Sequence, residues 1–179
     1  MTRINSPHSR ILAISPSTRG FGYAVLETAD TLVDWGVKSV KGDKNAQCLA
    51  KVEELIAHYS PGVLVLPDVT VINTRRASRI RLLGDQIIAL ASMYNLRVPV
   101  FSAEQVKKTF FADCEGTKYG IAEILAKRFP EELGFRLPPK RRPWMSEDYR
   151  MDIFDAVALA LVYRLKKEKR NGSPRPALK

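Results

Sequence analysis

Two cysteines, two histidines and two tryptophans in 179 residues leave little material for several kinds of chemistry. Cys48 and Cys114 belong to no C-x-x-C or Cys/His spacing, so no disulfide framework and no structural zinc site is written here. His8 falls in a polar leading stretch and His58 in a helical pattern, so no Ser-His-Asp arrangement suggests itself. A glycine-rich phosphate loop is also missing, since Gly20-Phe21-Gly22 reads as a hairpin turn rather than a nucleotide motif. No apolar run approaches the roughly 18 residues a membrane span needs, and the first residues do not resemble a secretory leader. A soluble, membrane-free protein of a reducing compartment, the cytoplasm, is the expectation.

Acid is the scarcer sign of charge. Against 19 Asp and Glu stand 29 Lys and Arg, a formal charge of +10. Such an excess favours a polyanionic partner, because clustered cations release condensed counterions from nucleic acid on binding. The alternative is a basic but inert surface, and the placement of the charges decides between them. Arg75, Arg76, Arg79 and Arg81 gather at a helix start, where they oppose the helix dipole, which suggests that phosphate contacts compensate. Lys140, Arg141 and Arg142 form another cluster beside Trp144. That ring either stacks on a base or anchors its connector in the core, and anchoring is the expectation.

The chain is expected to form one domain over residues 10–168, after a loose arm at 1–9 and before a disordered basic tail at 169–179. Ile11–Ile14 is a strand that stops at Ser15-Pro16, and Tyr23–Leu26 is its hairpin partner. Thr31–Val40 is a third strand, and a helix follows from Asn45 to Tyr59, broken by Ser60-Pro61-Gly62. Val63–Leu66 is a fourth, wholly apolar strand, parallel to the first by the rule for strand-helix-strand connections. Thr74–Tyr94 reads as a helix with apolar residues on two stripes, one for the sheet and one for a second subunit, so a homodimer is expected. Arg97–Phe101 is a fifth strand, Ser102 and Gln105 form a capping box, and Thr117–Phe129 is helical. Residues 130–143 look too irregular to be an element, and Ser146 is expected to cap a last helix from Glu147 to Lys167. The pattern is an α/β protein.

The last helix carries the candidate chemistry. Asp152 and Asp155 stand three residues apart on one face, with Asp148 a turn earlier on the same side. Acids in a first turn also complement a helix dipole without further purpose. Against that simpler reading, Ala156–Val162 is apolar on every side, which buries the helix and puts its acids at a core edge.

Four segments between about Arg10 and Arg164 carry a resemblance. Arg10–Glu27, RILAISPSTRGFGYAVLE, resembles the opening hairpin of Holliday-junction resolvases of the RuvC type, which usually read I-D-P-G and then G-Y-G. Asp152–Ala160 resembles the D-x-x-D-A-x-A-x-A segment that ends their catalytic domain. The resemblance implies a ribonuclease H-like fold: a five-stranded mixed sheet, three strands antiparallel and then two parallel, with helices on both faces. It also implies carboxylates from the first strand, the fourth strand and the last helix, holding two Mg²⁺ or Mn²⁺ ions for phosphodiester cleavage. Lys107, Lys108 and Lys118 resemble lysines that the family places beside its cleft.

Two of the implied ligands are replaced. The family aspartate falls on Ser15, and the family glutamate falls on Pro67 in Leu66-Pro67-Asp68-Val69. Asp68 is one position along and should face away unless Pro67 distorts the strand end. The aromatic residue with which the family probes the junction falls on Thr70. The expectation is therefore a resolvase-like homodimer that binds branched or double-stranded DNA through a degenerate nuclease site, where Asp152 and Asp155 hold at most one metal ion weakly. The alternatives are an active Mg²⁺-dependent endonuclease using Asp68, Asp148, Asp152 and Asp155, and a scaffold that binds only protein.

Overall fold

A computed structural model describes residues 10–70, 75–113 and 115–172, without the side chains of Arg75 and Arg76. The expected arm at 1–9, Cys114 and residues 173–179 of the expected tail lie outside the described residues, while Lys169 and Arg170, expected in that disordered tail, belong to the last helix.

Five strands form one sheet in the order β3-β2-β1-β4-β5, with β1 at Ile11–Pro16, β2 at Gly20–Thr28, β3 at Thr31–Ser39, β4 at Val63–Pro67 and β5 at Val100–Phe101. The first three pair antiparallel, while β4 runs parallel to both β1 and β5, as expected. The cause is legible in β1, where Ile11 to Ile14 are all buried: a strand without a polar face needs cover on both sides. Alternation then divides the core. Ile11 and Ala13 face a cluster with helices α4 (Lys118–Arg128) and α6 (Met151–Arg170). Leu12 and Ile14 face a second cluster with α1 (Lys44–Tyr59) and α2 (Arg75–Met93). Helix α3 (Ala103–Phe110) follows β5.

Local chemistry sets most boundaries. Asp43 caps α1 by accepting from the amide of Ala46, and Ser60 ends that helix in the left-handed conformation at φ 45°. The Ser102/Gln105 capping box is present at α3. Tyr23 and Tyr59 both donate to Asp34 Oδ2, at 3.0 and 2.6 Å, which ties the end of α1 to β2 and β3. Burial and this shared carboxylate raise both phenols, Tyr59 to about 12.

Four expectations need correction. Gly20-Phe21-Gly22 is not the turn but the start of β2: Ser15 pairs with Gly22, Pro16 pairs with Phe21, and the turn lies at Ser17–Arg19. Phe21 drives this register, because its fully buried ring belongs to the core. Strand β5 is two residues long, since Pro99 has no amide to extend the ladder, although the amides of Leu64 and Leu66 still bond to Arg97 and Pro99. The 130–143 connector contains a helical turn, α5 at Pro130–Leu133, and a 3₁₀ turn at Gly134–Arg136, because Pro130 suits a first helical position and Leu133 is buried. Finally, α6 begins at Met151 rather than Glu147, and Ser146 does not cap it. Asp148 accepts from the backbone of Arg150 and from its guanidinium, holding a non-helical turn just before the helix.

Candidate active site and nucleic-acid face

Beside the carboxyl ends of β1 and β4 opens a cleft of about 720 Å³, lined among others by Ser15, Pro67, Asp68, Lys107, Lys118 and Asp155. Such strand ends are where open α/β sheets present their ligand sites. Gly22 makes this one possible. A Cβ at that position would stand 2.0 Å from the carbonyl oxygen of Asp152, so only glycine lets the first turn of α6 settle on the hairpin. Asp152 and Asp155 are thereby delivered close to the end of β1, next to buried Ser15.

The acids are not left to themselves. The ammonium of Lys118 lies 2.8 Å from Asp155 Oδ2 and 2.9 Å from Glu147 Oε2. Thr117 caps α4 and so fixes Lys118 as its first residue. A cation is unfavourable at that end of a helix, and here two carboxylates offset it. Burial pushes the Asp155 carboxyl up to about 6 although Lys118 pulls it down, while Glu147 and Asp152 add repulsion. Burial likewise raises Asp152, against the opposing pull of Ser17, Lys118 and Arg19. The Ser17 hydroxyl favours ionised Asp152 by proximity without reaching hydrogen-bond geometry. Burial opposes the Lys118 charge, but Asp155 and Glu147 outweigh it and the ammonium is held above its ordinary range.

Other candidate residues are drawn elsewhere. Asp68 stands at the cleft rim because strand pairing stops at Pro67, yet its Oδ1 accepts from the amide and hydroxyl of Thr70 at 3.0 and 2.6 Å. Those bonds hold its carboxyl below the usual range. Asp148 is off the helix, bonded to Arg150, and is correspondingly lowered by it. Arg79 donates to Asn45 Oδ1 at 3.0 Å and to the Ser17 carbonyl at 2.8 Å, bracing the hairpin tip against α1. Arg81 is half-buried, and the side chains of Arg75 and Arg76 are outside the description. Lys107 lines the cleft, whereas Lys108 pairs with Glu104 at 2.6 Å on α3.

Lys140, Arg141 and Arg142 are exposed, and so is Trp144, at 76 %. Trp144 therefore does not anchor the connector. That task falls to buried Leu133 and to Tyr119, whose hydroxyl donates to the Pro138 carbonyl at 2.9 Å. Sequence reasoning also missed Glu147 as a partner of the cleft residue Lys118. Nothing local marks it, because its partner Lys118 is 29 residues away.

A two-ion centre needs several hard oxygen ligands for each cation. Ser15 offers a neutral hydroxyl, Pro67 offers no side-chain donor, and one oxygen of each of Asp155 and Glu147 is engaged by an ammonium. Among the described residues no three His, Cys, Asp or Glu side chains converge to hold a metal ion. The donor set does not fit a pair of divalent ions.

No family model matches the sequence, and no curated protein matches it. Solved structures do match the fold. RuvC of Thermus thermophilus in complex with a Holliday junction substrate aligns at a TM-score of 0.69 and 16 % identity, covering 95 % of this chain and 100 % of that one. A second structure of Thermus thermophilus RuvC aligns at 0.66 with 17 % identity, over 94 % of this chain and 99 % of that one. The yeast mitochondrial Holliday junction resolvase aligns at 0.63 with 14 % identity, over 94 % of this chain and 87 % of the other. The chain has the RuvC-like, ribonuclease H-like resolvase fold.

Proposed function

We propose that this protein binds branched DNA as a RuvC-type homodimer and that an internal ion pair stands in place of its metal-dependent nuclease centre. The observation supporting this reading is Lys118, paired with Asp155 and Glu147 in a cleft beside Ser15 and Pro67. An ammonium there supplies the positive charge that divalent ions supply in a working two-metal site, and it neither activates a water nor stabilises a leaving oxygen. A structure of similar fold holds a Holliday junction substrate, and this chain's +10 charge suits the same kind of ligand. Leu82, Ile88 and Met93 of α2 are exposed apolar side chains, which a two-fold contact between copies of this helix would cover.

Binding is tested by titrating a four-way junction and a duplex of equal length between about 50 and 200 mM salt. The junction should bind more tightly, and both affinities should fall steeply as salt rises. Absence of binding, or binding indifferent to salt, would favour a protein scaffold. Sedimentation at micromolar concentration should show a dimer, and a monomer would remove that part of the proposal.

A second reading is an active Mg²⁺-dependent endonuclease. Glu147 and Asp155 are both engaged by Lys118, so that reading needs bound nucleic acid to draw Lys118 away and bring the carboxylates together. Metal-dependent cleavage separates the two readings.

A further inference from the structure

Trp144 is one of two tryptophans in the chain, and it stands 76 % exposed, an unusual position for the largest apolar side chain. It is nevertheless held in place. The amide of Met145 bonds to the carbonyl of Arg142 at 3.0 Å, closing a turn that displays the indole. The Arg142 guanidinium lies 5.6 Å from the ring centroid. Both ends of the loop are fastened to the start of α4. Tyr119 bonds to the Pro138 carbonyl before it, and Lys118 pairs with Glu147 after it. Two residues lie between Trp144 and Glu147, a backbone reach of at most about 11 Å, and Glu147 pairs with Lys118, which lines the cleft, so the loop that carries the indole is tethered beside it. Tyr149 is exposed two residues beyond Glu147, and Lys140, Arg141 and Arg142 are exposed on the approach.

We infer that Trp144 is a base-stacking residue, and that the 140–149 loop receives an unpaired or unstacked nucleotide beside the cleft while its cations hold the flanking phosphates. The chemistry is specific to nucleic acid with accessible bases. One cation beside an aromatic face, with two more exposed along the same loop, matches a phosphate chain carrying flat rings, and base–aromatic stacking contributes about 1–3 kcal/mol per base. A blunt duplex hides its base faces and offers this loop only phosphates. The inference rests on the proposed DNA-binding function and names the feature of the DNA that is read: exposed bases at a junction, flap or single strand.

The test uses the full chain with Trp35→Phe, so that Trp144 is the sole indole emitter. A four-way junction, a single strand and a blunt duplex are the probes. Emission should be quenched by the first two and little changed by the duplex. Trp144→Ala should weaken junction and single-strand binding about 5- to 100-fold and leave duplex affinity within about twofold. Trp144→Phe should recover most of the loss, and equal melting temperatures would show that the exposed substitution spares the fold. Unchanged emission at saturation, or an equal loss on all three probes, would overturn the stacking role. Quenching by anionic lipid vesicles with none by DNA would overturn it too. If the unmodified protein bound none of the probes, the DNA-binding reading would fail first and this one with it.

Discussion

Replacing Lys118 by methionine keeps the alkyl stem and removes the charge, so it isolates the ammonium's role as counter-ion to Asp155 and Glu147. Breaking a fully buried pair costs about 3–5 kcal/mol and an exposed one about 0–1 kcal/mol. Here the side chains of Lys118 and Asp155 are 44 % and 27 % exposed, so solvent screening brings the expected loss at pH 7.5 to about 1–2 kcal/mol. Urea denaturation should register that as a midpoint lower by about half to one molar. The loss should depend on pH. Folding raises Asp155 to about 6, above its ordinary value of 3.8, so protonation in the native state stabilises the fold at acid pH. That contribution is lost as pH rises through about 6, and only above it is Asp155 an anion for Lys118 to neutralise. At pH 5 the variant should therefore lose only what the solvent-screened pair with Glu147 contributes, below about 1 kcal/mol. Without the cation the Asp155 titration, followed by carboxyl NMR, should move upward. Millimolar Mg²⁺ should recover part of the stability of the variant and little in the unmodified protein. Equal losses at both pH values would mean that Lys118 acts through its stem, and no loss at either would refute its role as internal counter-ion.

Gly22→Ala should destabilise the protein by about 3 kcal/mol or prevent folding, because the new methyl meets the Asp152 carbonyl; a melting temperature within a degree or two of the parent would contradict that packing. Replacing Arg75 and Arg76 together should reduce the salt dependence of DNA binding by about one to two units of slope, whereas Arg79→Ala should lower stability instead, since its guanidinium braces Ser17 and Asn45. Ser15→Asp with Pro67→Glu should raise Mg²⁺ affinity in calorimetry without changing the fold. Heats no larger than those of the parent would mean that these two positions are not what limits metal binding.

Much of the fold was readable because its signals are local. The unbroken apolar runs of β1 and β4 require a sheet covered on both faces, and the Ser102/Gln105 capping box stands next to the helix it starts. What the sequence hid depends on distant contacts. Gly20-Phe21-Gly22 carries an ordinary turn signal, and only the approach of Asp152 shows why Gly22 belongs to a strand. Asp148 looks like a third acid on the α6 face until Arg150 takes it into a turn. Trp144 has the composition of an anchor, but it is exposed, and the connector is held instead by buried Leu133 and by the Tyr119 bond to the Pro138 carbonyl. The candidate site was legible as Asp152, Asp155, Ser15 and Pro67. The Lys118–Glu147 contact that completes it joins separate segments and follows no periodicity.

The decisive measurement is made on the unmodified protein bound to a labelled four-way junction, with Mg²⁺ or Mn²⁺ added and the strands resolved on a denaturing gel. A charge-neutralised cleft predicts a salt-sensitive complex whose strands stay intact at every metal concentration. Metal-dependent nicks that disappear in Asp155→Asn would contradict it, and would mean that Lys118 yields its carboxylates to a working nuclease.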